Sequence, residues 1–198
     1  MKLFMVRHGA AVVNSARRYL GWDDVPLTVA GRRQAGALSR RLAAEPLVAV
    51  YSSDLLRARQ TAEAIAAPHG LVVQAVSGLR ELNFGDWSDL TYAEIAARDP
   101  QALQGWLADP EHRAPPGGET LAELRRRVEK ALHGIALPAV AVAHGGTWRA
   151  VLGIWLSAAF WDIPQPPACL NMVQGPFGAE TRPQVMLVGD TGHLGRRK

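Results

Sequence analysis

Two short apolar runs in this 198-residue chain end in the same way. Residues 3–6 stop at Arg7, His8 and Gly9, and residues 139–143 stop at His144, Gly145 and Gly146. An apolar run of that length closed by charge or glycine reads as a buried strand. Both histidines therefore fall at strand C-terminal ends, where open α/β sheets hold their ligands. The residue types suit an anion. Guanidinium is a planar fork matched to phosphate oxygens, imidazole is a nucleophile that needs no deprotonated hydroxyl, and glycine lets the backbone come close. The second His-Gly pair also precedes a helix start near Thr147, which adds helix N-terminal N–H groups to the cradle.

Between these runs, strand, helix and strand alternate, the grammar of βαβ units and of the α/β class. Thr28 is a candidate N-cap for an amphipathic helix over residues 29–42, with Ala35, Leu38 and Leu42 at helical spacing and arginines on the other side. Residues 47–51 read as a second strand, and Ser52 and Ser53 open a helix to residue 67 with Ser53 as its cap. Arg57, early in that helix, falls near the same sheet edge as Arg7 and is a second candidate anion clamp. Residues 71–76 supply a third strand. Glu81 follows among Leu79, Leu82 and Phe84, an apolar setting that suits a carboxyl to proton donation near neutral pH. Thr120 and Glu123 form a capping box for a helix to about residue 132, and residues 148–159 read as a further helix. Residues 170–173 and 185–188 read as strands and residues 189–198 as a frayed tail. In the polar loop 10–27, Asn14 is placed to hydrogen-bond a ligand. Residues 86–118 read as an excursion from the sheet, an insert covering the site.

A hydrophobic content of 48% with 20% charged residues fits one globular domain over residues 1–198. Twenty-two basic against 18 acidic residues leave a net charge of +4, too mild for a nucleic-acid binder and suited to a small anionic substrate or a solvated surface. Cys169 is the single cysteine, so no internal disulfide forms and a reducing, cytoplasmic setting is expected, with Cys169 as a small buried apolar residue. The N-terminus does not read as a signal peptide, so none is expected, and the apolar run 150–160 falls short of the ~18–20 residues that span a membrane. His69, His112, His133 and His193 are scattered without ligand spacing, and no GxxxxGK loop or CxxC pair occurs, so no metal or cofactor is expected.

The ordered motifs carry a resemblance: VRHG at 6–9, Asn14, GWDDVPLT at 21–28, SSDLLRARQTA at 52–62, ELNFGDW at 81–87, PPGGET at 115–120 and AHGG at 143–146. Together, from residue 3 to about residue 150, they resemble the histidine phosphatase superfamily and its phosphoglycerate-mutase-like fold. The resemblance implies a three-layer α/β/α sandwich around a mostly parallel sheet. It also implies that His8 is the phosphorylated nucleophile, that Arg7, Arg57 and His144 bind the phosphoryl oxygens, and that Glu81 is the proton donor, with Asn14 and the Gly145 backbone as auxiliary phosphate contacts. Ala10 and Ala11 depart from the pattern, since the family commonly has an acidic or amide residue and then a threonine after RHG.

The activity so implied is metal-independent hydrolysis of a small phosphorylated metabolite, of sugar-phosphate or α-ribazole phosphate type, by a histidine acid phosphatase route. ELNFGDW and the short insert after it look like the phosphatase branches. A phosphoglycerate mutase is the alternative, and a catalytically idle phospho-ligand-binding or regulatory module of the same fold is the second. A homodimer stays open.

Overall fold

The computed structural model describes residues 1–12, 18–175 and 182–195. Among these, six strands form one sheet: β1 (Lys2–Arg7), β2 (Ala49–Ser52), β3 (Val73–Ala75), β4 (Ala139–Ala143), β5 (Leu170–Gln174) and β6 (Gln184–Asp190). Their spatial order is β3-β2-β4-β1-β5-β6. β1, β4, β2 and β3 run parallel, and β5 and β6 add an antiparallel pair at one edge.

The helices are α1 (Val29–Leu42), α2 (Leu56–Ala66), α3 (Tyr92–Arg98), α4 (Pro100–Ala108), α5 (Leu121–His133) and α6 (Gly145–Leu156). Side chains alternate across a strand, so β1 feeds two cores at once. Leu3 and Met5 pack with Leu124, Val128, Trp148 and Val151 of α5 and α6. Phe4 and Val6 pack with Leu38, Leu42, Ala58, Ala62 and Ile65 of α1 and α2. The sheet is thus covered on both faces, which makes the three layers, and each fully buried aliphatic side chain contributes about 1.5–3 kcal/mol. Residues 86–118 hold α3 and α4, whose Ile95, Leu103 and Trp106 extend the first core.

α1 begins and ends where its periodicity places it, with Thr28 Oγ1 accepting the Gly31 N–H as N-cap. The expected Thr120/Glu123 capping box opens α5, and Thr91 with Glu94 makes another at α3. Several boundaries move, and β2 runs Ala49–Ser52 rather than 47–51. α2 starts at Leu56, because Ser52 is the last residue of β2 and Ser53 lies between the two elements. β3 shortens to Val73–Ala75 at the sheet edge. α6 starts earlier than residue 148 and stops before 159, where Ser157 turns left-handed at φ 52°. The segment 189–195 is packed rather than frayed: β6 runs to Asp190 and Leu194 joins the second core. Residues 196–198 lie outside the described part. Among the described residues no helix is long and apolar enough to cross a membrane.

Candidate active site

The site grows from the pairing of β1 with β4. Arg7 is in register with Ala143, and the His8 N–H donates to the Ala143 carbonyl at 3.0 Å. The next residues on the two strands, His8 and His144, therefore emerge side by side, with ring centroids 5.0 Å apart and an interplanar angle of 64°. Both are buried. Trp148, one turn into α6, donates its indole N–H to the Val6 carbonyl at 2.9 Å and ties the second histidine's helix to the first histidine's strand.

His8 has a defined tautomer. Its Nδ1 lies 2.7 Å from the Gly9 carbonyl, which only accepts, so the proton is on Nδ1 and Nε2 keeps its lone pair. Arg57 Nε donates to that Nε2 at 3.3 Å. The Gly9 N–H donates in turn to Thr61 Oγ1 at 3.2 Å, and Gly9 lies so close to α1 that a Cβ on it would stand 2.5 Å from the Gly31 carbonyl oxygen. Arg57 is 1% exposed, and its terminal nitrogens donate to the carbonyls of Asp23 at 2.6 Å and Gly21 at 2.8 Å. The guanidinium thus fastens the 18–27 loop beside the histidine.

His144 Nε2 lies 2.9 Å from Ser53 Oγ, which also accepts the Leu55 N–H at 3.3 Å. The serine hydroxyl has a hydrogen to give, and Nε2 is its acceptor. The imidazole proton then falls on Nδ1, a buried atom without a partner. Arg7 Nε is buried and unpartnered as well, while its Nη1 donates to the Gln165 carbonyl. Buried unpaired donors are costly, and two of them at the ends of neighbouring strands have the chemistry to receive an oxyanion.

Glu81 does not have the apolar setting its sequence neighbours suggest. Its carboxylate lies across the N-terminus of α6, accepting from Gly146 N at 3.2 Å, Thr147 N at 3.2 Å and its own neighbour Leu82 N at 3.0 Å. Tertiary packing, not local composition, sets this environment. A Cβ at residue 146 would stand 2.4 Å from Glu81 Oε1, so the second glycine after His144 is there for the carboxylate. Gly145 stands against Arg7, where a Cβ would lie 3.4 Å from Nε. Asn14 lies outside the described residues.

Burial, followed by repulsion from Arg7 and Arg57, holds the His8 imidazole well below its ordinary value, and burial with Arg57, His8 and Arg7 does the same for His144. Both are neutral at neutral pH. Burial likewise draws both arginines down from the usual guanidinium value, with Glu81 acting against it. Burial pushes the Cys169 thiol up to about 11, in keeping with a packed, inert side chain. The histidines carry a stability consequence. Their folded values lie below the unfolded value of about 6.5, so the unfolded chain binds the protons and folding stability falls as pH drops below 6.5, by about 1.4 kcal/mol per pH unit per histidine until the folded value is reached. The urea midpoint is expected to be lower at about pH 5.5 than at about pH 7.5, above the range in which carboxylates titrate. Equal midpoints would contradict neutral buried histidines.

Several residues that shape the site were not evident from local pattern. Arg127 donates to the carbonyls of Gly78, Arg80 and Glu81 at 3.0, 2.7 and 2.6 Å and pairs with Glu119 at 2.6 Å, so it gathers the segment that carries Glu81. It belongs to a basic cluster, and its one signal is its place next to the buried face of α5, three residues after Leu124. Trp22 adds an indole N–H to the Glu81 carbonyl at 2.8 Å. Gln165 and Asn171 form a buried amide pair at 2.8 Å, and Asn171 also donates to the Met5 carbonyl at 3.0 Å, fixing the strand on which Arg7 ends. Nothing local in sequence announces that pair.

Above His8 opens a cavity of about 420 Å³. Its floor is Arg7, His8, Arg57, Glu81 and Gly146, and its walls include Tyr19, Leu20, Phe84, Phe160 and Trp161. From the 86–118 stretch, Trp106 stands behind this wall, within 6.1 Å of Phe84 and 5.9 Å of Trp161 between ring centroids. Among the described residues no three His, Cys, Asp or Glu side chains converge as a metal site.

Comparison with known proteins agrees with this geometry. A glucosyl-3-phosphoglycerate phosphatase of Mycobacterium tuberculosis strain H37Rv is 35% identical over 176 residues, covering 82% of this chain and 76% of that protein. A probable phosphoglycerate mutase, GpmB, of Yersinia enterocolitica is 36% identical over 150 residues, covering 73% of this chain and 70% of that protein. The solved structure of Bacillus stearothermophilus YhfR superposes with a TM-score of 0.87 at 29% identity, covering 98% of both chains. The chain spans 55% of the length of other curated mycobacterial relatives that it matches at 34% identity. The model of the histidine phosphatase superfamily, branch 1, matches residues 3–188, and the chain belongs to that superfamily.

Proposed function

We propose that the chain is a phosphomonoester hydrolase that works through a phosphohistidine on His8. The observation that carries the reading is the lone pair on His8 Nε2, fixed by the Nδ1–Gly9 hydrogen bond, with Arg57 Nε donating to it at 3.3 Å, the charge of Arg7 acting on the same ring and the His144 ring 5.0 Å away. Phosphoryl transfer leaves little covalent work to the protein beyond placing a nucleophile in line and meeting charge on the equatorial oxygens. Arg7, Arg57 and His144 meet that charge, with Asn14 and the Gly145 N–H as auxiliary contacts. His8 Nε2 attacks phosphorus and the bond from phosphorus to the alcohol oxygen breaks, while the Glu81 carboxyl gives its proton to the departing alkoxide. Glu81, now a carboxylate, then takes a proton from water, whose oxygen attacks phosphorus; the P–N bond breaks and orthophosphate leaves.

The positive charge that this scheme needs comes from side chains, which supports metal independence. The substrate is a small phosphorylated metabolite, consistent with a cavity of about 420 Å³, and the buried lone cysteine fits a cytoplasmic setting. Residues 86–118 act as a cover held behind the aromatic wall. A mutase reading is favoured by one observation, the 36% identity to the GpmB protein. One experiment separates them: with a chelator present, a panel of phosphomonoesters is assayed for orthophosphate, and 3-phosphoglycerate for conversion to the 2-isomer. Orthophosphate release that outruns isomer interconversion and ignores the chelator is expected. Rapid interconversion outrunning release makes the protein a mutase, and strong inhibition restored by added metal removes the metal-independent mechanism.

A further inference from the structure

The charges around the cavity do not balance on a phosphate alone. Among the described residues four arginines line it, Arg7, Arg18, Arg57 and Arg149, against one acid, Glu81. Arg7 and Arg57 are the floor. Arg18 is engaged by Glu94 at 2.9 and 3.2 Å. Arg149 is different, because among the described residues it makes no ion pair. It stands one turn into α6, near enough to Arg7 for their repulsion to register, and donates Nε to the Ile163 carbonyl at 3.0 Å. That bond orients the guanidinium and leaves its two terminal nitrogens uncommitted. Phe160 lies to one side, its ring centroid 6.0 Å from Cζ.

Arg149 also lines a neighbouring cavity of about 270 Å³ together with Arg125 and Arg182. Arg125 is neutralised there by a two-pronged pair with Glu111 at 2.6 and 2.9 Å, and Arg182 donates to the Ile154 carbonyl at 3.1 Å. Among the described residues Arg149 is thus a fixed, uncompensated cation on the wall shared by the two cavities. A guanidinium with its edge nitrogens free offers two parallel donors, the spacing of a carboxylate's two oxygens.

We propose that Arg149 is a second anion clamp and that the substrate is a phosphomonoester whose alcohol part carries a carboxylate. This rests on the hydrolase reading above and adds the class of alcohol. Arg149 holds the alcohol end while the floor holds the phosphoryl group, so the distance between the two anions, more than the identity of the carbon skeleton, selects the substrate.

The test uses two phosphonates of equal length, which bind without being cleaved. Titration calorimetry on the intact protein compares 3-phosphonopropionate with propylphosphonate, which differ by a carboxylate in place of a methyl group. A charge-assisted pair is worth about 1.5–3 kcal/mol, so a roughly 10- to 100-fold preference for the carboxylated ligand is expected. Arg149→Gln should collapse that preference towards unity while leaving propylphosphonate affinity and the melting temperature unchanged, and Arg149→Lys, which keeps the charge and loses the fork, should fall between. Equal affinities in the unaltered protein overturn the proposal. So does an equal loss for both ligands in Arg149→Gln, which would assign Arg149 to holding the Ile163 segment. Tighter binding of 1,3-propanediphosphonate than of 3-phosphonopropionate overturns the carboxylate and makes the second anion a phosphate. Failure of the hydrolase reading shows separately, as absence of orthophosphate release with the ligand preference intact.

Discussion

Replacing His8 with alanine is expected to abolish turnover, by on the order of 10⁴-fold or more, and to leave the fold in place. Removal of a covalent nucleophile has an effect of this size because the remaining groups have nothing to transfer the phosphoryl group to. The fold tolerates the change because the strand that carries His8 is held by Leu3, Phe4, Met5 and Val6, each at most 1% exposed. Arg57 also keeps its bonds to the Asp23 and Gly21 carbonyls when the imidazole is gone. The measurement is single-turnover release of alcohol with an unreactive alkyl phosphate, together with acid-labile, base-stable phosphate on the protein. The altered protein should melt within a few degrees of the original and carry no such phosphate. Turnover near that of the unaltered protein would remove His8 from its proposed role.

Glu81→Gln has the next largest expected effect, and its signature depends on the leaving group. General acid help is typically ~10²–10⁴ in rate and shrinks as the leaving group becomes a better anion. Glutamine keeps the shape and an oxygen for the Leu82 and Thr147 N–H groups, which the carboxylate holds at 3.0 and 3.2 Å, but it carries no transferable proton. Phosphorylation of His8 by alkyl phosphates should therefore be crippled, while much more of that step survives with p-nitrophenyl phosphate, whose phenolate departs unaided. Overall turnover should fall for both, since in the proposed scheme the same residue activates water afterwards. The pre-steady-state burst is the quantity to compare. An equal fall in burst rate for both substrates would make Glu81 a positioning residue and pass the role of acid to another group, with His144 first to be tested.

The parts of the molecule legible in the sequence are those fixed by local periodicity or by covalent neighbours. The run before Arg7 and the run before His144 could only be strands, and their shared ending placed both histidines at one sheet edge before any pairing was known. Thr28, Thr120 and Glu123 announced helix starts because capping is a short-range interaction. What could not be read is what depends on distant segments meeting. Ser53 looks like a helix cap in isolation, whereas its hydroxyl is committed to His144, 91 residues away. Glu81 looks apolar among Leu79, Leu82 and Phe84, yet packing sets its carboxylate on the backbone of α6. Arg127 stands in a run of three arginines, and its task appears only where the Gly78, Arg80 and Glu81 carbonyls converge on it.

The indole of Trp148 has a bearing on how such a protein changes over evolutionary time. By bonding the Val6 carbonyl from inside the core, it joins the first strand and the helix of the second histidine into one block. Thr61 and Gly9 fasten that block to α2 on the other side. The chemistry therefore rests on a foundation whose parts cannot shift independently, while the walls above it come from segments outside the block, Tyr19 and Leu20 in one loop and Phe160 and Trp161 in another. Replacements in those walls can reshape what enters without retuning what happens to it. A chain built in this way is free to exchange one metabolite for another by surface substitutions of small energetic consequence, and diversification should concentrate in the roof while the foundation stays constant.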